Sequence, residues 1–130
     1  MNARVTRISL AAALAAALLL AAGCVTARNY ADPDSLRRLI ATREEPYILV
    51  DVRAPGEFAR GHIPTAINIP VTEISDAPPT TDRKALVIVY CSTGVRSASA
   101  AHRLQVLGFT RVTDFGGINR WKGPLETSGS

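Results

Sequence analysis

Val87-Ile88-Val89-Tyr90-Cys91-Ser92-Thr93-Gly94-Val95-Arg96-Ser97 decides how this 130-residue chain is read. The continuous apolar run from Ala85 to Tyr90 has the composition of a strand buried on both faces of a parallel sheet. It stops at Cys91. From Arg96 the pattern turns helical, with Ala100, Leu104 and Leu107 at spacings of four and three and Gly108 where a helix would end. A strand, a tight loop and a helix start therefore follow one another. Cys91 is expected at the carboxyl end of the strand, facing the backbone N–H groups of the helix N-terminus.

A thiol is a good nucleophile only as thiolate, and a free cysteine with a pKa of roughly 8.5 is only a few per cent ionised at neutral pH. Lowering that value by one unit takes about 1.4 kcal/mol, more than the about 0.3–1 kcal/mol that a helix dipole reliably supplies. The loop N–H groups and Arg96 are expected to add the rest. The reading requires the sulfur to lie open to solvent at the bottom of an amide-lined bowl. The ordinary alternative for a lone cysteine in a small domain is a buried, inert side chain.

Working outward, the chain opens with Arg4 and Arg7 and no acid, continues with an apolar stretch from Ile8 to Ala22 broken only by Ser9, and ends that segment at Gly23-Cys24. This is the pattern of a secretory signal, short of the about 20 residues of a membrane span. The junction Leu20-Ala21-Ala22-Gly23-Cys24 resembles the bacterial lipoprotein signal, with Ala21 standing where that family usually has leucine. The resemblance implies a signal peptide over 1–23, lipidation of Cys24, and a tether over 24–31 leading to the domain. It also implies a membrane anchor in the cell envelope facing the periplasm. Val25 after the cysteine, where a retained protein would carry Asp, points to the outer rather than the inner membrane.

The whole chain has fifteen basic and eleven acidic residues, and loss of Arg4 and Arg7 with the signal leaves thirteen against eleven. A near-neutral domain with no basic run and no interleaved aromatics gives no reason to expect nucleic-acid binding. With two cysteines in an exported chain the default is a disulfide, but lipidation of Cys24 through sulfur would leave Cys91 a free thiol in an oxidising compartment. His62 and His102 are the only histidines and neither has a ligand partner at a useful spacing, so no metal and no cofactor are expected.

Along the domain, Val25 to Tyr30 reads as the tether with a short edge strand at its end. Asp32-Pro33 matches an N-cap and first-turn proline for a helix carrying Leu36, Leu39 and Ile40 and ending near Arg43. Tyr47–Val52 reads as a strand, Ala54–Gly61 as a short helix, Ala66–Ile69 as a third strand and Thr72–Asp76 as a short helix before a loop containing Pro78-Pro79. After the helix ending near Leu107, Arg111–Phe115 is a strand and Gly116-Gly117 a turn. Ile118–Lys122 is then a short helix carrying Trp121, and residues 127–130 are a loose tail. His102 falls on the exposed side of its helix. Strands alternating with helices at short spacing give an α/β domain with a mainly parallel central sheet.

Four separated stretches in order then resemble the single-domain rhodanese family: Asp51 to Pro64, Ala66-Ile67-Asn68-Ile69-Pro70, Cys91 to Ser97, and Gly116-Gly117 before Trp121. Thr65 stands where the family usually has glycine. The resemblance implies a three-layer rhodanese-like domain over 32–126 and a sulfurtransferase. Cys91 would take sulfane sulfur from a small anionic donor such as thiosulfate as a persulfide, and a thiophilic acceptor such as cyanide or a thiol would remove it. Ser92, Thr93, Gly94, Val95, Arg96 and Ser97 would form the substrate-binding loop, with amides stabilising the charged sulfur and Arg96 binding the donor's anionic part. Asp51, Arg53, His62 and Trp121 are expected to be structural neighbours of the site: the first two anchor loops, His62 satisfies backbone groups at a turn, and Trp121 is core or pocket wall. Phosphatases of the same fold place five residues between cysteine and arginine; here there are four. A monomer is expected. The other class weighed is a sulfur-carrier or protein-binding module that passes sulfur to a protein acceptor and turns over little on small donors.

Overall fold

The computed structural model describes residues 27–129. The expected lipoprotein signal over 1–23 and Cys24 lie outside the described residues. Helix α1 (Pro33–Thr42) begins where the Asp32 carboxylate accepts the Ser35 N–H at 2.9 Å, with proline in the first turn, and ends at Arg43, whose φ is 49°. Next come β1 (Ile48–Asp51), α2 (Pro55–Arg60), β2 (Ile67–Asn68), β3 (Leu86–Cys91), α3 (Val95–Val106) and β4 (Arg111–Gly117). A single 3-10 turn, Ile118–Arg120, leads to Trp121.

The four strands form one sheet in the order β2-β1-β3-β4, every neighbouring pair parallel. All six residues of β3 are buried, and its alternation sorts them between two cores. Leu86, Ile88 and Tyr90 pack with Leu36 and Leu39 of α1, while Val87, Val89 and Cys91 pack with Ala100, Ala101 and Leu104 of α3. The result is three layers: α1, the sheet, α3. Because the strands are parallel, their carboxyl ends gather at one edge of the sheet, and the loop after β3 emerges there into the start of α3.

Four local expectations are corrected. No strand precedes α1 among the described residues; Tyr30 enters a turn and its ring is buried in the α1-side core. Residues 71–76 form consecutive turns, not a helix, because prolines at 70 and 78 leave too short a segment, with β-branched Val71, Thr72 and Ile74, to repay nucleation. Gly116-Gly117 does not turn the chain but completes β4, where a bulge at Phe115 lets Gly116 pair with Tyr90 and Gly117 with Cys91. Ile118–Lys122 shortens to the 3-10 turn. Beyond it, Glu126 pairs with His62 through backbone bonds of 2.9 Å in both directions, and the Ser128 N–H reaches the Ala59 carbonyl at 3.2 Å.

Thr65 adopts φ 71°, left-handed backbone that a β-branched residue rarely accepts, and its hydroxyl bonds that of Tyr47 at 2.9 Å.

Candidate active site

The loop 91–97 sits at the carboxyl end of the central strand. Gly94 takes φ 101° as the residue capping α3, which lets its N–H turn back to the Cys91 sulfur at 3.0 Å; the Ser97 N–H donates to the same sulfur at 3.3 Å. Two amides from the first turn of α3 thus converge on one sulfur. The Ser97 hydroxyl donates to the Gly94 carbonyl at 3.1 Å. Burial alone pushes the thiol up. The Ser97 hydroxyl and the N–H groups of Ser97, Gly94 and Thr93 outweigh it, and the net shift is downward, toward thiolate.

The sulfur expected to lie open to solvent is buried, and that expectation is corrected. The amides point at the sulfur, but the Cys91 side chain has no exposed surface (0 %), because it faces α3 and is closed in by Ala100, Ala101 and Leu104 of the same core. Thr93 and Val95 lie on the outside of the loop, Val95 76 % exposed. Gly117 explains how β4 approaches so closely: a Cβ there would come within 2.6 Å of the Ser92 carbonyl oxygen. Only glycine lets β4 and the thiol loop lie together.

Arg96 is not free. Its two terminal nitrogens donate to the Glu57 carboxylate at 2.7 and 3.1 Å, and one also reaches the Ser92 hydroxyl at 3.1 Å, which itself donates to Glu57 at 2.9 Å. Arg96 holds the Glu57 carboxyl down at about 2, so Glu57 stays charged at any ordinary pH. The positive charge expected beside the sulfur is largely neutralised at source, and the downward shift of Cys91 rests on hydrogen bonds. Glu57 lies inside the Asp51–Pro64 stretch, but nothing in that stretch points to Arg96; it sits on α2 and is brought to Arg96 by tertiary packing.

Asp51 and Arg53 anchor neighbouring loops. The Arg53 guanidinium grips the Asp51 carboxylate, at 2.6 Å in the shortest contact, and also donates to the Gly61 carbonyl at 2.6 Å; the Arg53 N–H donates back to Asp51 at 2.9 Å. Asn68 bridges the Asp51 and Arg53 carbonyls at 2.9 Å each. Against this knot the Tyr90 hydroxyl accepts the Ile63 N–H at 3.0 Å. His62 bonds the Phe58 carbonyl through Nδ1 at 2.9 Å and stacks on the Phe58 ring at 3.8 Å. Trp121 belongs to the core, its indole N–H donating to the Pro124 carbonyl at 3.0 Å. These four residues hold the frame and none reaches the sulfur.

Cavities of about 410 and 490 Å³ lie at the amino ends of the strands, away from the thiol. A smaller groove of about 280 Å³ runs along Glu57, Arg60 and Leu125. A nest sized for one sulfur needs no large cavity.

Comparison with known proteins places this arrangement. The family described as the rhodanese-like domain matches residues 32–124. A sulfurtransferase of Allochromatium vinosum is 37 % identical over 98 residues, spanning 72 % of this chain and 87 % of its own. The thiosulfate sulfurtransferase PspE of Escherichia coli is 37 % identical over 71 residues, 53 % of this chain and 68 % of the relative. A rhodanese-like domain protein from Staphylococcus aureus superposes with TM-score 0.65 at 32 % identity, covering 75 % of this chain and 95 % of that one.

Proposed function

This chain belongs to the rhodanese-like domain family, and from that premise we propose that it is a sulfurtransferase working through a Cys91 persulfide. The observation that carries the proposal is the pair of α3 amides directed at the Cys91 sulfur. The thiolate attacks the outer sulfur of a donor such as thiosulfate. The donor's S–S bond breaks with its electron pair leaving on sulfite, and Cys91 keeps the outer sulfur as a persulfide anion. A thiophilic acceptor, cyanide or a thiol, then attacks that terminal sulfur and returns the thiolate. Donors that are thiosulfate sulfurtransferase substrates suit the reading because PspE, named for that activity, is a relative. Since Cys91 has no exposed surface, the donor sulfur gains it by displacement of the 92–96 loop, and the same amides then share the charge of the persulfide.

Incubation of the domain with thiosulfate is expected to add one sulfur to Cys91, seen by mass spectrometry, and cyanide to release it as thiocyanate over repeated turnovers. Cys91→Ser abolishes both. A domain that takes up no sulfur is not a sulfurtransferase; one that loads but discharges only to a protein or thiol acceptor is the carrier instead.

We also propose that the chain is anchored through a lipid on Cys24 and acts in the periplasm, bound to the outer membrane. The described chain begins beside the amino ends of β3 and β4, where Ala27 and Arg28 line a concavity with Leu86 and Thr110–Thr113. Cys91 lies at the other end of β3, about 16 Å along the strand. Cys24→Ser is expected to move the protein from membrane to soluble fractions; unchanged membrane association excludes the anchor.

A further inference from the structure

The Glu57–Arg96 pair has a consequence for the choice of donor. Arg96 presents both terminal nitrogens to Glu57 and one of them to Ser92, so a donor arriving at the loop meets a neutralised pair instead of a free cation. The pair is not buried out of reach: the Arg96 and Glu57 side chains are 37 % and 26 % exposed. Glu57 is part-exposed and also lines a groove with Arg53, Arg60 and Leu125, while its carboxylate oxygens are held by the loop's Arg96 and Ser92. Through the Ser92 hydroxyl it is tied to the residue next to the nucleophile.

We infer that Glu57 is a specificity-determining residue that disfavours highly charged sulfur donors, because a dianion must compete with its carboxylate for Arg96 while a monoanion pays a smaller repulsion. The inference rests on the sulfurtransferase reading and names the donor class that reading leaves open: sulfane-sulfur donors of low negative charge. The first step is balanced for either class. Thiosulfate gives up its outer sulfur and leaves as sulfite, and an aryl thiosulfonate gives up its terminal sulfur and leaves as the sulfinate, the electron pair of the broken S–S bond departing with the leaving group in both.

The test compares thiosulfate, a dianion, with benzenethiosulfonate, a monoanion, in wild type, Glu57→Gln and Glu57→Asp. Glutamine keeps an oxygen acceptor for Arg96 and Ser92 but removes the charge. Glu57→Gln is expected to raise kcat/KM for thiosulfate roughly tenfold, through KM, and for benzenethiosulfonate only about threefold, so that the donor ratio shifts about threefold. Glu57→Asp, still charged, keeps the wild-type ratio. Raising the ionic strength narrows the wild-type ratio in the same direction. If Glu57 were merely a strut for the loop, the glutamine variant would change both donors by one factor, or lower both, and either result overturns the inference. A wild-type protein that loads sulfur on Cys91 from neither donor overturns the sulfurtransferase reading itself, an outcome distinct from equal effects on two working donors.

Discussion

Two arginine–carboxylate pairs flank the carboxyl end of β3, alike in chemistry and opposite in setting. Asp51–Arg53 closes at 2.6 Å with side chains 0 % and 8 % exposed, while Glu57–Arg96 closes at 2.7 Å with side chains 26 % and 37 % exposed. The buried pair is over-determined. Its charges are met by the Arg53 N–H and the Gly61 carbonyl as well as by each other, and Asn68 ties the same backbone. The half-exposed pair has two further partners, the Ala54 N–H, which reaches Glu57 at 3.4 Å, and Ser92, on the loop that carries the nucleophile. A pair sealed from water can only be broken at the expense of the fold, because the partner left behind is a bare charge in a low dielectric; a pair open to water can exchange partners with a ligand. The contrast assigns scaffold to one and substrate discrimination to the other.

The sharpest way to break the comparison is Arg53→Ala. Stranding Asp51 is expected to cost about 3–5 kcal/mol in urea unfolding; a loss below about 1 kcal/mol would put the two pairs in the same class. Gly117→Ala disturbs the half-exposed side through Ser92, the hydrogen-bond partner of Glu57 and Arg96. The new methyl must push the Ser92 carbonyl away, for an expected loss of about 1–3 kcal/mol and a misplaced thiol loop, read as slower alkylation of Cys91 by iodoacetamide.

Ser97→Ala removes the hydroxyl that favours the thiolate while leaving its N–H in place. The pH profile of Cys91 alkylation should shift to higher pH, with both ion pairs intact. An unshifted profile would mean that the backbone amides alone set the thiol's charge.

Glu57→Gln has the smallest expected effect on stability, under about 1 kcal/mol at neutral pH, because solvent screens the pair. The Glu57 carboxyl is held below its ordinary value, so its contribution is fully present above pH 4.5 and is lost as pH falls toward about 2. Wild type and Glu57→Gln should converge in stability over that window. A gap that persists at the acid end would assign the pair a structural weight the comparison denies it.

Much of this was legible before any coordinates. The buried run ending at Cys91, the helix from about Arg96, the Asp32-Pro33 helix start and the alternation of strands with helices all rest on short-range rules, apolar periodicity and capping, that neighbouring residues state locally. Asp51 and Arg53 stand two residues apart at a strand end, a spacing at which their pairing is itself local. The turns at 71–76 were misread because a few polar residues between prolines satisfy turn and helix rules equally. The bulge at Phe115 escaped because Gly116-Gly117 announces a turn unless the strand beside it is known.

What the amino-acid order determined by itself is the layered α/β scaffold and the position of one cysteine at a strand's carboxyl end before a helix, since both follow from patterns repeating within a few residues. Only the tertiary structure decided the state of the surrounding charges. It closed Cys91 under α3, and it brought Glu57 to Arg96 from 39 residues away in the chain. Ion pairing between distant segments depends on where packed helices and loops come to rest, and a linear pattern of charges does not carry that distance.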